Sequence, residues 1–190
     1  AYLMFVAPWE QGGEWDDSGI SGISRWLNRV WNLVLAGYNQ KISAAVMKRL
    51  KGEQVDIEQT ERELSRVTHQ TIKKVTSDLE RLRFNTMIAA LMEFTNHLAK
   101  AKEVGYVTEP AWKRAVDTLL LLLAPTAPHL TEELWQRMGH DYSIHNQSWP
   151  KWDEALAKDE EITLPVQVNG KLRDRITIPV SVANSLTEVE

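Results

Sequence analysis

The sequence predicts a mainly α protein: an antiparallel helix bundle with a small C-terminal β-hairpin as an appendage. Three observations carry that reading. Apolar residues recur at three- and four-residue spacings through successive segments between Ser21 and Gly139. Capping residues, glycine or proline separate those segments. Beyond Glu161 the period changes from 3.6 to 2, around the pair Asn169–Gly170.

The stretch "FVAPWEQGGEWDDSGISG" (Phe5 to Gly22) is too rich in glycine and acid for an ordinary helix and too aromatic for a slack linker. From Ser21 the residues Ile23, Leu27, Val30, Trp31 and Val34 trace one helix face, with Asp17 or Ser18 as the cap and Gly37 as the stop. A short helix is expected over Asn39–Leu50 and a loop over Lys51–Asp56. The second long helix is expected from Ile57 to Leu82, on the stripe Leu64, Val67, Thr71, Val75, Leu79 and Leu82. "RFNT" breaks that pattern, and Asn85 or Thr86 caps a third helix running from Met87 to near Gly105. Thr108 caps a fourth, with Pro110 in the first turn, where its missing N–H is harmless. That helix passes through the leucine run to Ala124; a proline-rich turn and a short helix ending at Gly139 follow. His140 to Glu161 is polar, aromatic and acidic, the composition of a linker or surface loop. The hairpin is expected over residues 162–180. A two-residue turn and a three-residue loop or bulge give it different registers, the second aligning Val168 with Leu172 and Leu164 with Ile176. In both, strict alternation groups Lys171, Arg173 and Arg175 on one face.

The 190 residues leave room for one full domain and a small second one. No apolar run reaches the roughly 18 residues a membrane span needs, and "LLLLLAP" ends at Pro125. With no cysteine, disulfides, thiolate catalysis and cysteine-ligated zinc are excluded, and a cytoplasmic setting is expected. The net charge of −4 excludes a generally polybasic nucleic-acid binder, so any phosphate contact must come from a local basic face.

The sequence holds no glycine-rich phosphate loop, no Gly-x-Ser-x-Gly elbow and no His-Glu-x-x-His helix. His140 and His145 lack companion ligands, so neither a catalytic residue nor a metal site is assigned. The acidic pairs Asp16–Asp17 and Glu132–Glu133 suit the first turn of a helix. The basic residues stand out more. Arg62, Arg66 and Lys73 share a narrow band on the second long helix, Lys74 and Arg81 form another about 100° round the axis, and Arg83 follows. Such a track suits a polyanion backbone. The alternative is a solvated face balanced by Glu58, Glu61, Glu63, Asp78 and Glu80. Arg25 and Arg29, one turn apart beside Trp26 and Asn28, form a second patch, with Trp26 either core or a stacking platform.

Four stretches in order carry a resemblance. "APWEQGGEWDDSGISGISRWLNRVWNLV", "THQTIKKVTSDLERLRFNTMIAALMEFTNHL", "LLLLLAPTAPHLTEELWQRMG" and "VQVNGKLRDRITIPV" resemble bacterial-type leucyl-tRNA synthetases where the chain leaves the catalytic core for the helical anticodon-binding domain. The first three are also similar to the isoleucyl and valyl enzymes; "VQVNGKLR" resembles the opening of the small C-terminal domain of leucyl enzymes. The resemblance implies a class Ia anticodon-binding bundle over residues 18–150. Residues 1–17 become a connector from a missing catalytic core, and 151–190 a linker with the truncated start of the C-terminal domain. Within the family, leucine is joined to tRNA(Leu) with ATP and magnesium, and an inserted domain edits mischarged tRNA. This chain holds neither the HIGH nor the KMSKS signature, so no catalysis and no cofactor of its own are expected. The expected partners are tRNA(Leu) and the remainder of the parent synthetase, the expected state is a monomer, and no membrane is involved. Arg25, Arg29, Lys73, Lys74, Arg81 and Arg83 become backbone contacts, and Lys171 and Arg173 contacts to the tRNA elbow. The family pattern is broken at Trp9, where proline is common, at Trp26, where phenylalanine is frequent, and at Asp174, where glycine is frequent. Asp174 adds negative charge beside the elbow contacts. The rival reading is a helical scaffold whose basic residues only solubilise it.

Overall fold

A computed structural model describes residues 1–8, 10–37, 57–104, 107–158, 161–168 and 171–179. The expected Asn39–Leu50 helix, the Lys51–Asp56 loop and the Asn169–Gly170 turn lie outside them. The chain divides into two compact units, Ala1–Ala157 and Lys158–Glu190.

In the first unit the described helices are α1 (Tyr2–Phe5), α2 (Asp17–Leu35), α3 (Ile57–Glu80), α4 (Phe84–Val104), α5 (Glu109–Leu123) and α6 (Pro128–Arg137), followed by a 3-10 turn at Ile144–Asn146. α2 starts because Asp16 lies in an extended conformation and its carboxylate accepts the Ser18 N–H at 2.9 Å. The cap is therefore one residue earlier than the sequence suggested. Gly37, at φ 57°, closes the helix in the left-handed region, where a Cβ would be strained.

α3 stops at Glu80, two residues before the expected end. Leu82 sits at φ 56° and the Arg83 N–H returns to the Asp78 carbonyl at 2.7 Å, closing a tight C-terminal turn. Leu82 thereby leaves the apolar stripe and is exposed, while Asp78 is buried. α4 begins at once, at Phe84, so neither Asn85 nor Thr86 is the cap; the Thr86 hydroxyl instead donates to the Arg83 carbonyl. Thr108 caps α5 by accepting the Ala111 N–H, with Pro110 in the first turn as expected.

The core runs through all five long helices, with Val30, Leu91, Leu98, Leu119, Leu123 and Leu134 wholly enclosed. Trp26 is core as well, 1% exposed, and its indole N–H donates to the Thr95 hydroxyl at 3.1 Å. That bond resolves the choice between core and stacking platform and pins α2 to α4. Tyr2, Met4 and Phe5 fold back against the same core, while Leu3 and Trp15 are left exposed.

Of the linker or surface loop that composition suggested after α6, the described part is a loop tied to the bundle. Ile144 is buried, and the Glu132 carboxylate accepts both the Ser143 hydroxyl and the Ile144 N–H. Further on, the Trp149 indole donates to Thr76 at 2.8 Å, the Asp153 N–H to His69 Nδ1 at 3.0 Å and the Gln70 amide to the Ala157 carbonyl at 3.0 Å. Residues 69, 70, 73 and 76 share one face of α3, and the strap runs along it.

In the second unit β1 (Glu161–Val168) pairs antiparallel with β2 (Lys171–Pro179). Val168 opposes Lys171 and Leu164 opposes Ile176, with an irregularity between Val166 and Gln167. Gln167 opposes Leu172 and Val166 opposes Asp174, so Arg173 is the extra residue. The irregularity interrupts the strict alternation on which the expected grouping of Lys171, Arg173 and Arg175 depended.

Candidate nucleic-acid interface

The basic residues of the first unit fall into two classes, decided by their partners. On α3 most face carboxylates. Arg62 pairs with Glu58 at 3.8 Å and Arg66 with Glu63 at 2.7 Å. Lys74 reaches Asp78 at 2.7 Å, with Asp78 enclosed and the lysine about half exposed. Lys73 meets Glu154 of the strap at 2.8 Å. Glu61 turns instead to Thr108: its carboxylate accepts the Thr108 N–H, and hydrogen bonding from the Thr108 side chain, then from that N–H, holds its pKa below the usual glutamate range. The α3 track is therefore a largely balanced face, the second of the two sequence readings. An incoming phosphate would exchange with a carboxylate at Lys73 and Lys74.

The second class keeps its charge. Arg25 is exposed on α2, and Arg81 and Arg83 are exposed on either side of the Leu82 turn; among the described residues none of the three side chains has a hydrogen-bond or ion-pair partner. Arg29 is exposed one turn beyond Arg25, and its Nη1 donates to the Asn96 side-chain oxygen of α4 at 3.1 Å, a neutral acceptor. After Asp17, α2 carries no carboxylate. Lys171 and Arg173 lie on β2, at the register positions given above.

Two participants escaped the sequence. Glu154 is 81 residues from Lys73 and Asn96 is 67 from Arg29, so no periodicity links them. Asp78, at i+4 from Lys74, was visible as a balancing acid.

A bundle with a mixed α3 face and uncancelled arginines on α2 and in the turn between α3 and α4 takes its class from comparison with known proteins. The family model described as the anticodon-binding domain of tRNA ligase matches residues 61–188, and the chain belongs to that family. Within it the similarity is to leucine–tRNA ligases. The chain is 57% identical over 183 residues to the one from Dehalococcoides mccartyi strain 195, covering 96% of this chain and 21% of that protein. To the Rubrobacter xylanophilus ligase it is 49% identical over 184 residues, covering 95% and 20%. Among solved structures, the Agrobacterium radiobacter LeuRS in a ternary complex with tRNA and LeuAMS superposes with a TM-score of 0.72 at 31% identity, over 99% of this chain and 24% of that one. The chain thus spans about a fifth of the length of the curated relatives it matches.

Proposed function

We propose that this chain is the tRNA-docking part of a leucine–tRNA ligase, gripping tRNA(Leu) through backbone phosphates. The observation that carries the reading is the set Arg25, Arg29, Arg81 and Arg83, exposed and without carboxylate partners among the described residues of an otherwise acidic chain. Arginine is suited to phosphate, because its planar fork donates two parallel hydrogen bonds and stays charged. Lys73 and Lys74 join by exchanging Glu154 and Asp78 for phosphate. The paired strands open a small C-terminal domain, with Lys171 and Arg173 reaching the tRNA elbow. Leucine activation, with its ATP and magnesium, and editing belong to the remainder of the ligase. Among the described residues no three His, Asp or Glu side chains gather as a metal site. A monomeric, cytoplasmic protein fits this role; among the described residues no helix is long and apolar enough to cross a membrane.

The test is a filter-binding titration of the full chain with a leucine-accepting tRNA at about 50 and about 200 mM salt. Binding should weaken with salt. Reversing Arg25 and Arg29, or Arg81 and Arg83, to glutamate should lower both affinity and the salt slope, the slope by about one for each phosphate no longer neutralised. No affinity at low salt, or affinity untouched by all four reversals together with Lys73 and Lys74 in a folded chain, would leave the scaffold reading in its place.

A further inference from the structure

We propose that Asn96 is a positioning residue, holding the Arg29 guanidinium in place for a tRNA phosphate without cancelling its charge. The inference rests on the docking role just described. Arg62, Arg66, Lys73, Lys74 and Arg137 all lie within ion-pair distance of a carboxylate. Arg29 instead donates Nη1 to an amide oxygen at 3.1 Å. A carboxylate there would order the side chain and discharge it; an amide orders it and leaves its field intact. A guanidinium has five donors in a rigid fork, so a phosphate can still take two parallel bonds on an edge that Asn96 does not occupy.

The place of Asn96 is set from inside the bundle. Trp26, three residues before Arg29, is enclosed and bonded to Thr95, the residue before Asn96. Thr95 in turn donates its hydroxyl to the Leu91 carbonyl at 2.8 Å, which fixes its rotamer. The core contact between α2 and α4 and the surface contact between Arg29 and Asn96 are thus one residue apart on α4. Rigid packing below holds donor and acceptor at a constant separation above. An arginine ordered beforehand loses less rotamer freedom on binding.

The test compares Asn96→Ala, Asn96→Asp, Arg29→Ala and the Arg29→Ala/Asn96→Ala pair for binding of a leucine-accepting tRNA transcript across a salt series, with thermal melts alongside. Asn96→Ala should weaken binding about three- to tenfold with an unchanged salt slope and melt, and should add nothing once Arg29 is alanine. Asn96→Asp should weaken binding and lower the slope by about one, because the new carboxylate cancels the guanidinium. If Arg29→Ala weakens binding but Asn96→Ala does not, the positioning role is wrong and the docking role stands. An equal loss from Asn96→Ala with or without Arg29 would mean a direct contact and would also overturn it. If Arg29→Ala changes nothing, the inference falls, and the Arg81 and Arg83 reversals still decide the docking role.

Discussion

The bond between Trp26 and Thr95 offers a test of how the bundle holds its first long helix. Both residues are nearly enclosed, at 1% and 2% exposure, and Thr95 accepts the indole N–H at 3.1 Å while donating to Leu91. Thr95→Val keeps the shape and removes the acceptor, stranding a buried indole N–H; that costs about 1–3 kcal/mol. For a unit of this size about 2 kcal/mol corresponds to roughly 4–8 °C in melting temperature. Trp26→Phe removes part of the indole volume and leaves no donor stranded, since the Thr95 hydroxyl still has Leu91; roughly 1–2 kcal/mol is expected from the poorer packing. The informative quantity is the coupling. With phenylalanine at 26 there is no indole N–H to strand, so Thr95→Val should cost almost nothing in that background. The double variant should then be less destabilised than the sum of the singles by about 1–3 kcal/mol. Urea denaturation followed by far-ultraviolet circular dichroism measures all four corners of the cycle. Additivity within about 0.3 kcal/mol would refute the reasoning, because it would mean that the indole N–H does not depend on Thr95.

Two further predictions concern the end of α6 and the strap. The Ser143 hydroxyl, with Gln136 and the Ile144 N–H, holds the Glu132 carboxyl below the usual glutamate value of 4.5. A carboxyl lowered by folding stabilises the protein above its unfolded pKa, and that stabilisation is lost as pH falls through the folded one. The melting-temperature gap between the wild type and Glu132→Gln should therefore be widest near neutrality and shrink below about pH 4.5; a gap constant down to about pH 3 would contradict the assigned role. Gly139 ends α6 at φ 81° with open space where a Cβ would stand. Gly139→Ala should thus destabilise by about 1 kcal/mol through backbone strain alone, and Gly139→Asn by less, as read by the same denaturation; equal stability of all three would remove the strain argument.

Much of the bundle was legible because local signals agreed with the global fold. Thr108 and Pro110 marked the start of α5, Gly37 and Gly139 marked two helix ends, and the α3 stripe from Leu64 to Val75 is buried as the spacing required. What the sequence missed fell where a long-range contact or an unforeseen tight turn outweighed the spacing pattern. Composition left His140 to Glu161 as a linker or surface loop and gave no sign that Ile144 and Trp149 pack against the core, or that the polar neighbours find acceptors and donors on α3 and α6. Leu82 fits the stripe by spacing alone, but a C-terminal turn at that residue sends its side chain outward. The candidate site was half legible. The sequence shows where the cations are but not which carboxylates they meet, and Glu154 against Lys73 is the clearest case.

Periodicity, caps and breakers are properties of a few consecutive residues, so the chain by itself determined that most of it is helical, roughly where the described helices from α2 to α6 run, and, through its motifs, the family resemblance; the short α1 (Tyr2–Phe5) was not among them. The identity of each cation's neighbour is a property of the packed bundle. The tertiary structure decided that Trp26 belongs to the core, that Lys73 and Lys74 are paired, and that Arg25, Arg81 and Arg83 keep their charge among the described residues while Arg29 is held by a neutral amide. The reason is electrostatic as well as geometric. A charge's availability depends on what lies within a few ångströms of it, and across 67 or 81 residues of sequence only folding sets that distance.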